Sequence, residues 1–306
     1  MRRLLLCIAI GSAAMYAAQV GPDAVFQPGP DFMTSVHKAC DSASDFGTCL
    51  AAEMSKVAPP LAVAFTKSIR NEGWMTAYRS TGRIDVASVT YPFRANENRG
   101  WLLVNGNPDR IDVDDQRKLP LKLMKDDSSW SHLLASKPKA ALFPGDRFSL
   151  TDPVAIHRGN GAQLFIVNYR VKDGCHACEV LGYAFFGFNF DAKGKFQGAD
   201  FLGFQTPANP NLVPPRPIPV HSSEKFELIL PWDSQGEFDW SLVQPGADHI
   251  IRLTGNQNDS ERHVQIWGFS VVGSGATQVV LKYSSRKSSD STVLPLMIKA
   301  APGLGR

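Results

Sequence analysis

The chain has 306 residues, 43% of them hydrophobic, and 32 Lys and Arg against 29 Asp and Glu, for a formal net charge of +3. Length and apolar content suffice for two domains with a core each. The small charge, dispersed basic residues and a "SSRKSSD" segment (284–290) read as a solvated loop exclude a phosphate-tracking stripe for nucleic acid.

Met1-Arg2-Arg3 supplies a positive start, Leu4 to Ala14 an apolar run and Ser12 to Ala18 small residues suited to signal peptidase. Residues 1–18 therefore read as a cleaved export signal. The run is well short of the roughly 20 residues that span a bilayer. Cys7 comes too early, and without small residues before it, for a lipoprotein anchor. Loss of Arg2 and Arg3 lowers the charge to +1, and the expected product is soluble, without an integral membrane segment, and periplasmic or secreted.

Phe32, Val36 and Cys40, then Cys49, Leu50, Met54 and Val57, recur near 3.6 residues, which predicts helices interrupted by the Asp, Ser and Gly residues of 41–48. A further helix begins at Pro60 and presents Leu61, Val63, Ala64, Phe65 and Ile69 as its apolar face. The period then becomes two. Ile84, Val86, Val89 and Tyr91 mark one strand, and residues 100–115 give two short strands about an Asn105-Gly106 turn. A polar, helical segment is predicted over 115–136, followed by three long strands. In the middle one, Ala184, Phe186, Phe188 and Phe190 share one face and Tyr183, Phe185 and Asn189 the other, as in a central strand covered on both sides. The expectation for 22–205 is an α+β domain, helices on an antiparallel sheet, of unknown function. Prolines 207, 210, 214, 215, 217 and 219 make 206–221 an extended linker.

Cys40, Cys49, Cys175 and Cys178 are left after signal removal, an even number that favours disulfides in an oxidising compartment. Pairing 40–49 with 175–178 closes short local loops and is preferred; cross-pairing is the alternative. The motif Cys175-His176-Ala177-Cys178 has several readings. A c-type haem site needs His directly after the second Cys, and residue 179 is Glu. A thioredoxin-like dithiol needs a helix N-terminus to stabilise its thiolate, whereas this motif stands between strand-like runs. Zinc could draw in His37, Cys40 or Cys49, but requires free thiols where export favours oxidation. A hairpin disulfide with His176 in the turn is the expectation, and a periplasmic thiol–disulfide oxidoreductase using Cys175 and Cys178 is the alternative.

Arg94, Asn96, Asn98 and Arg99 precede a strand and could grip a carboxylate or glycan, giving an envelope ligand-binding protein as another alternative. The plainer reading is an Asn-rich turn. Acid pairs within 112–115 and 126–127 read as a strand end and a capping turn, neither with calcium-loop spacing. No nucleophile elbow, P-loop or HExxH is present, so no enzyme activity, cofactor or metal is predicted.

Residues 222–301 carry short strands with turn signals, the pattern of an all-β immunoglobulin-like sandwich with Trp240, Trp267, Phe269, Leu281, Tyr283, Leu296 and Ile298 in its core. Phe238-Asp239-Trp240, Trp267-Gly268-Phe269, and Gly275 followed by Leu281 and Tyr283 together resemble the framework of chagasin-type inhibitors of papain-like cysteine peptidases. The likeness covers about a quarter of the chain. It implies a contact edge of three loops at one end of the sandwich, here Asp233–Phe238, Gly255–His263 and Ser284–Ser288, with Asp233, Gly236, Phe238, Asn256, Asn258 and Arg286 as binding residues. The implied partner is a papain-like cysteine peptidase or another envelope protein. The loop tips depart from the family pattern: the first loop lacks threonines, the central one is not Gly-rich, and the last has Arg286 displaced by one position and no Trp. Charge at Asp233 and Glu237 must be desolvated on docking, and the missing Trp removes an aromatic anchor. The residues therefore predict an exported binding protein more strongly than an inhibitor.

Overall fold

The computed structural model describes residues 19–94, 98–144, 152–206, 216–232, 238–287 and 291–302, so the expected signal segment lies outside it. The helices are N-terminal, and the remainder is mostly antiparallel β-structure. The first three are α1 (Phe32–Cys40), α2 (Phe46–Met54) and α3 (Pro60–Ser68). Asp45 caps α2 by accepting from the Thr48 amide at 3.1 Å, and Pro60 opens α3. Val36, Leu50, Met54 and Val63 pack with Phe26 and Trp74 into a small core.

Strands β1 (Trp74–Arg79), β2 (Asp85–Thr90), β3 (Arg99–Val104) and β4 (Arg110–Asp112) form one antiparallel sheet in chain order. One face carries Met75, Val89 and Leu102 against Phe65 and Ile69, and the other carries Ile84, Val86, Trp101 and Leu103 against a larger sheet. The segment 115–136 is not one helix. Pro120 precedes a short α4 (Leu121–Lys125), and Asp127 caps α5 (Ser128–Ser136) by accepting from the Ser129 and Trp130 amides.

Next come β5 (Ala140–Pro144) and β6 (Val154–Arg158), two short strands that residue alternation did not single out, and then β7 (Gln163–Asp173), β8 (Val180–Phe190) and β9 (Phe196–Gln205). β8 lies between β7 and β9, with Ala184, Phe186, Phe188 and Phe190 in one core and Phe185 in another, as its alternation requires. The chain continues with β10 (Ile218–His221), β11 (Lys225–Pro231), β12 (Phe238–Gln244), β13 (Ile251–Asp259), β14 (Val264–Val271), β15 (Gly275–Ser285) and β16 (Ser291–Ala301).

Two expectations change here. The end of the expected linker is structured: β10 pairs parallel with β16, Ile218 and Val220 buried and Pro219 exposed, which an edge strand tolerates. Second, β11 pairs with β14 on one side and with β6 on the other, so the order β13-β14-β11-β6-β7-β8-β9 joins segments from both sides of the Pro-rich stretch in one sheet. The sheet β10-β16-β15-β12 covers one face of it, and Ile156, Leu164 and Phe185 share that core with Trp240, Trp267, Phe269, Leu281, Leu296 and Ile298. The segments expected to hold separate cores thus share one. Alternation along β11 specifies two faces but not which strand lies beside it.

Candidate functional site

Pairing register brings the three connections of the C-terminal strands to one end. β11 stops at Pro231 opposite Val264, β13 stops at Asp259 opposite the same residue, and Phe238 at the start of β12 faces Ser285 at the end of β15. The Trp232 amide donates to the His263 carbonyl at 3.0 Å, joining two of these connections. Asp233 and Gly236 lie outside the described residues, as does Ser288.

Phe238, Trp240 and Leu242 alternate on one side of β12, which aims them at the core between the sheets. The ring of Tyr283 on β15 stacks on Phe238 at 5.0 Å and meets Trp240 at 4.7 Å, and the Trp240 indole donates to the Pro231 carbonyl at 2.9 Å. On the opposite side of β12, Asp239 accepts a forked pair of hydrogen bonds from Arg286. That guanidinium holds the Asp239 carboxyl below the ordinary carboxylate range. The arrangement fixes the end of β15 to the start of β12: an aromatic group on one side, with Trp240 buried and Phe238 and Tyr283 half-buried, and a half-exposed ion pair on the other.

Asn256 and Asn258 are not in a loop. They belong to β13, the outer strand of the large sheet, where they pair with Trp267 and Gln265 and are exposed. Backbone pairing over six polar or small positions overrides their turn preference, with Gly255 at φ 159° in an irregularity of the ladder. The true turn is 260–263. It is engaged within the chain, because Arg262 donates to the Ser80 carbonyl at 3.1 Å and lies 3.7 Å from Asp259. Phe238 and Arg286 therefore sit together at the sandwich end, whereas Asn256 and Asn258 lie along its side.

The four cysteines pair locally, Cys40–Cys49 and Cys175–Cys178, with Cα separations of 5.8 and 5.1 Å. The first ties α1 to α2, and the second closes the turn between β7 and β8. No described helix begins at Cys175, so the helix N-terminus that would favour a thiolate is not supplied there. His176 packs its ring 5.2 Å from Phe143, and its carbonyl accepts from Lys172. Among the described residues no cluster of three His, Cys, Asp or Glu is placed to hold a metal.

Arg94 lines an open cavity of about 820 Å3 with Glu72, Tyr91, Arg110, Asp112 and Phe143. Its guanidinium lies 3.6 Å from the centre of the Tyr91 ring and 3.6 Å from a Glu72 oxygen. Burial raises the Asp112 carboxyl above its usual value and, with nearby carboxylates, raises the Tyr91 hydroxyl. Asn98 accepts from the Tyr91 amide through its carbonyl at 2.7 Å, as a turn residue does, and Asn96 lies outside the described residues. Residue reading assigned neither Glu72 nor Tyr91 to this cavity, and it took Asp112 as a strand end. Their proximity comes from α3 packing on the first sheet, for which local sequence carries no signal. No protein-family model, curated protein or solved structure matches the chain.

Proposed function

We propose that the chain is a disulfide-stapled binding protein of an oxidising compartment, with a chagasin-like, immunoglobulin-type sandwich at its C-terminus that engages a partner protein through its loop end. The observation that carries this reading is the convergence of the β11–β12, β13–β14 and β15–β16 connections at one end, braced by the Phe238–Tyr283–Trp240 group and the Asp239–Arg286 pair. A braced rim reduces the ordering cost of docking. Two local disulfides suit the periplasm or the extracellular space.

The partner class is a papain-like cysteine peptidase, engaged by contact at the rim rather than by full blockage of its cleft, since the sequence of the first loop carries two charges, Asp233 and Glu237, that entry into a cleft would have to desolvate. Calorimetric titration of papain with the whole mature chain tests this. Saturable binding at micromolar concentration, weakened at least tenfold by Phe238→Ala with unchanged circular dichroism, is the expected result. An absence of binding heat, with papain fully active, would sink the peptidase partner.

A further inference from the structure

At the opposite end of the sandwich, where β11 begins, Arg158 closes β6 with its side chain on the face that lies between the two sheets. Val154 and Ile156, four and two residues before it, are in that core, and its cross-strand neighbour is Phe226. An arginine in such a position normally carries a carboxylate partner, because burying a charge without one is costly. Arg158 has none: its guanidinium forms no hydrogen bond or ion pair with any described residue, and its Nε is buried. Burial accordingly pulls its pKa down.

The two carboxylates that attract it from a distance make no hydrogen bond or ion pair with it; Asp200 is engaged elsewhere, and Glu224 through one oxygen only, its Oε1 being buried without a partner among the described residues. Asp200 accepts from the Asn189 side chain at 3.0 Å and lies 3.5 Å from Arg216, while Glu224 accepts from the His221 amide at 2.8 Å. Arg158, Asn189, Asp200 and Arg216 line one crevice of about 330 Å3, whose apolar walls are Leu164 and Leu202 from the large sheet, Pro217 just before β10, and Ile218 and Pro219 from the start of β10. That volume is at the lower end of the few hundred Å3 usual for small-molecule sites.

We propose that this crevice binds a small organic monocarboxylate, its carboxylate forked onto the Arg158 guanidinium and its hydrocarbon body against Leu164, Leu202 and Ile218. The planar, two-donor edge of the guanidinium matches a carboxylate. Asp200, standing in the same crevice, repels a dianion such as phosphate, and the apolar walls reward a hydrocarbon body over a bare inorganic ion. This site is separate from the loop end and does not rest on its function.

The test uses the whole mature chain, with hexanoate, benzoate and 3-phenylpropionate as probes and their neutral amides as controls, read by calorimetry. At least one carboxylate binds saturably in the millimolar range or tighter, its amide binds at least tenfold more weakly, and Arg158→Met abolishes binding. Arg216→Gln, at a half-exposed position, weakens binding several-fold without a folding penalty. The ligand-free Arg158→Met chain melts at the same temperature as the parent or higher, since a half-buried charge without an ion-pair partner among the described residues has gone. The proposal is overturned if none of the three carboxylates binds, if acid and amide bind alike, or if Arg158→Met binds as the parent does. A clearly lowered melting temperature in that variant overturns it as well, because Arg158 would then be a structural residue.

Discussion

Asp239 and Arg286 illustrate how a side-chain pair is invisible until the strands are laid side by side. They are 47 residues apart, and each alone reads as a surface charge; register places Asp239 opposite Ser284, within reach of Arg286. Because the guanidinium depresses the Asp239 carboxyl, the pair stabilises the fold above the unfolded-state value of about 4, and this contribution is lost as pH falls through the lower, folded-state value. Both side chains are 40–48% exposed, so the pair is worth under about 1 kcal/mol. Arg286→Gln should cost about 0.5 kcal/mol in urea unfolding at pH 7, with the difference from the parent shrinking below about pH 4. A difference that stays constant into acid would mean that the pair contributes nothing through charge. Gln163 carries the same lesson further. Within its strand it was one polar residue among apolar ones, yet its buried amide accepts from the Arg83 and Ile84 amides at 3.0 and 2.8 Å and donates to the Thr81 and Ile84 carbonyls. It pins the β1–β2 turn to the large sheet, a partner some 80 residues away that local spacing does not encode.

The short helices and hairpins were legible as elements because their signals are local. Asp45 and Pro60 start helices through their own caps and dihedrals, and the strand context of Cys175 and Cys178 set their disulfide in a hairpin. What local signals missed were β5 and β6, too short to establish a period, and the strand identity of 254–259, where Gly, Asn and Asp imitate a loop. The two disulfides differ in what they hold. Cys40–Cys49 spans 9 residues and joins two helices, and the double Ala variant should lose about 2–3 kcal/mol, with hydrogen exchange speeding up across α1 and α2. Cys175–Cys178 spans 3 residues at a hairpin tip, and its removal should cost about 1–2 kcal/mol, with faster exchange confined to the turn. Equal and global effects from both variants would contradict this division.

On the scale of the whole molecule, the large sheet decides the organisation. It receives β11, β13 and β14 from beyond the Pro-rich stretch and buries one face against the first sheet and the other against β10, β12, β15 and β16. A fragment of residues 216–302 therefore lacks the β6 partner of β11 and exposes core residues such as Phe226 and Leu228. It should be unfolded or aggregated, and the intact chain should lose these two layers in one cooperative transition. A dispersed amide NMR spectrum from the isolated fragment would show instead that its core is self-sufficient. The sequence by itself determined the helical beginning, the β-rich remainder, the two-faced character of β8, the local cysteine pairing and the aromatic framework around Trp240, Trp267 and Tyr283, because each follows from contacts within a few residues or from side-chain alternation. Only the tertiary structure decided that the expected domains share a sheet, that Asn256 and Asn258 lie on its outer strand, and that Arg158 faces a crevice without a partner. Strand neighbours are chosen by whole faces packing together, and alternation has the same pattern whichever strand lies beside it.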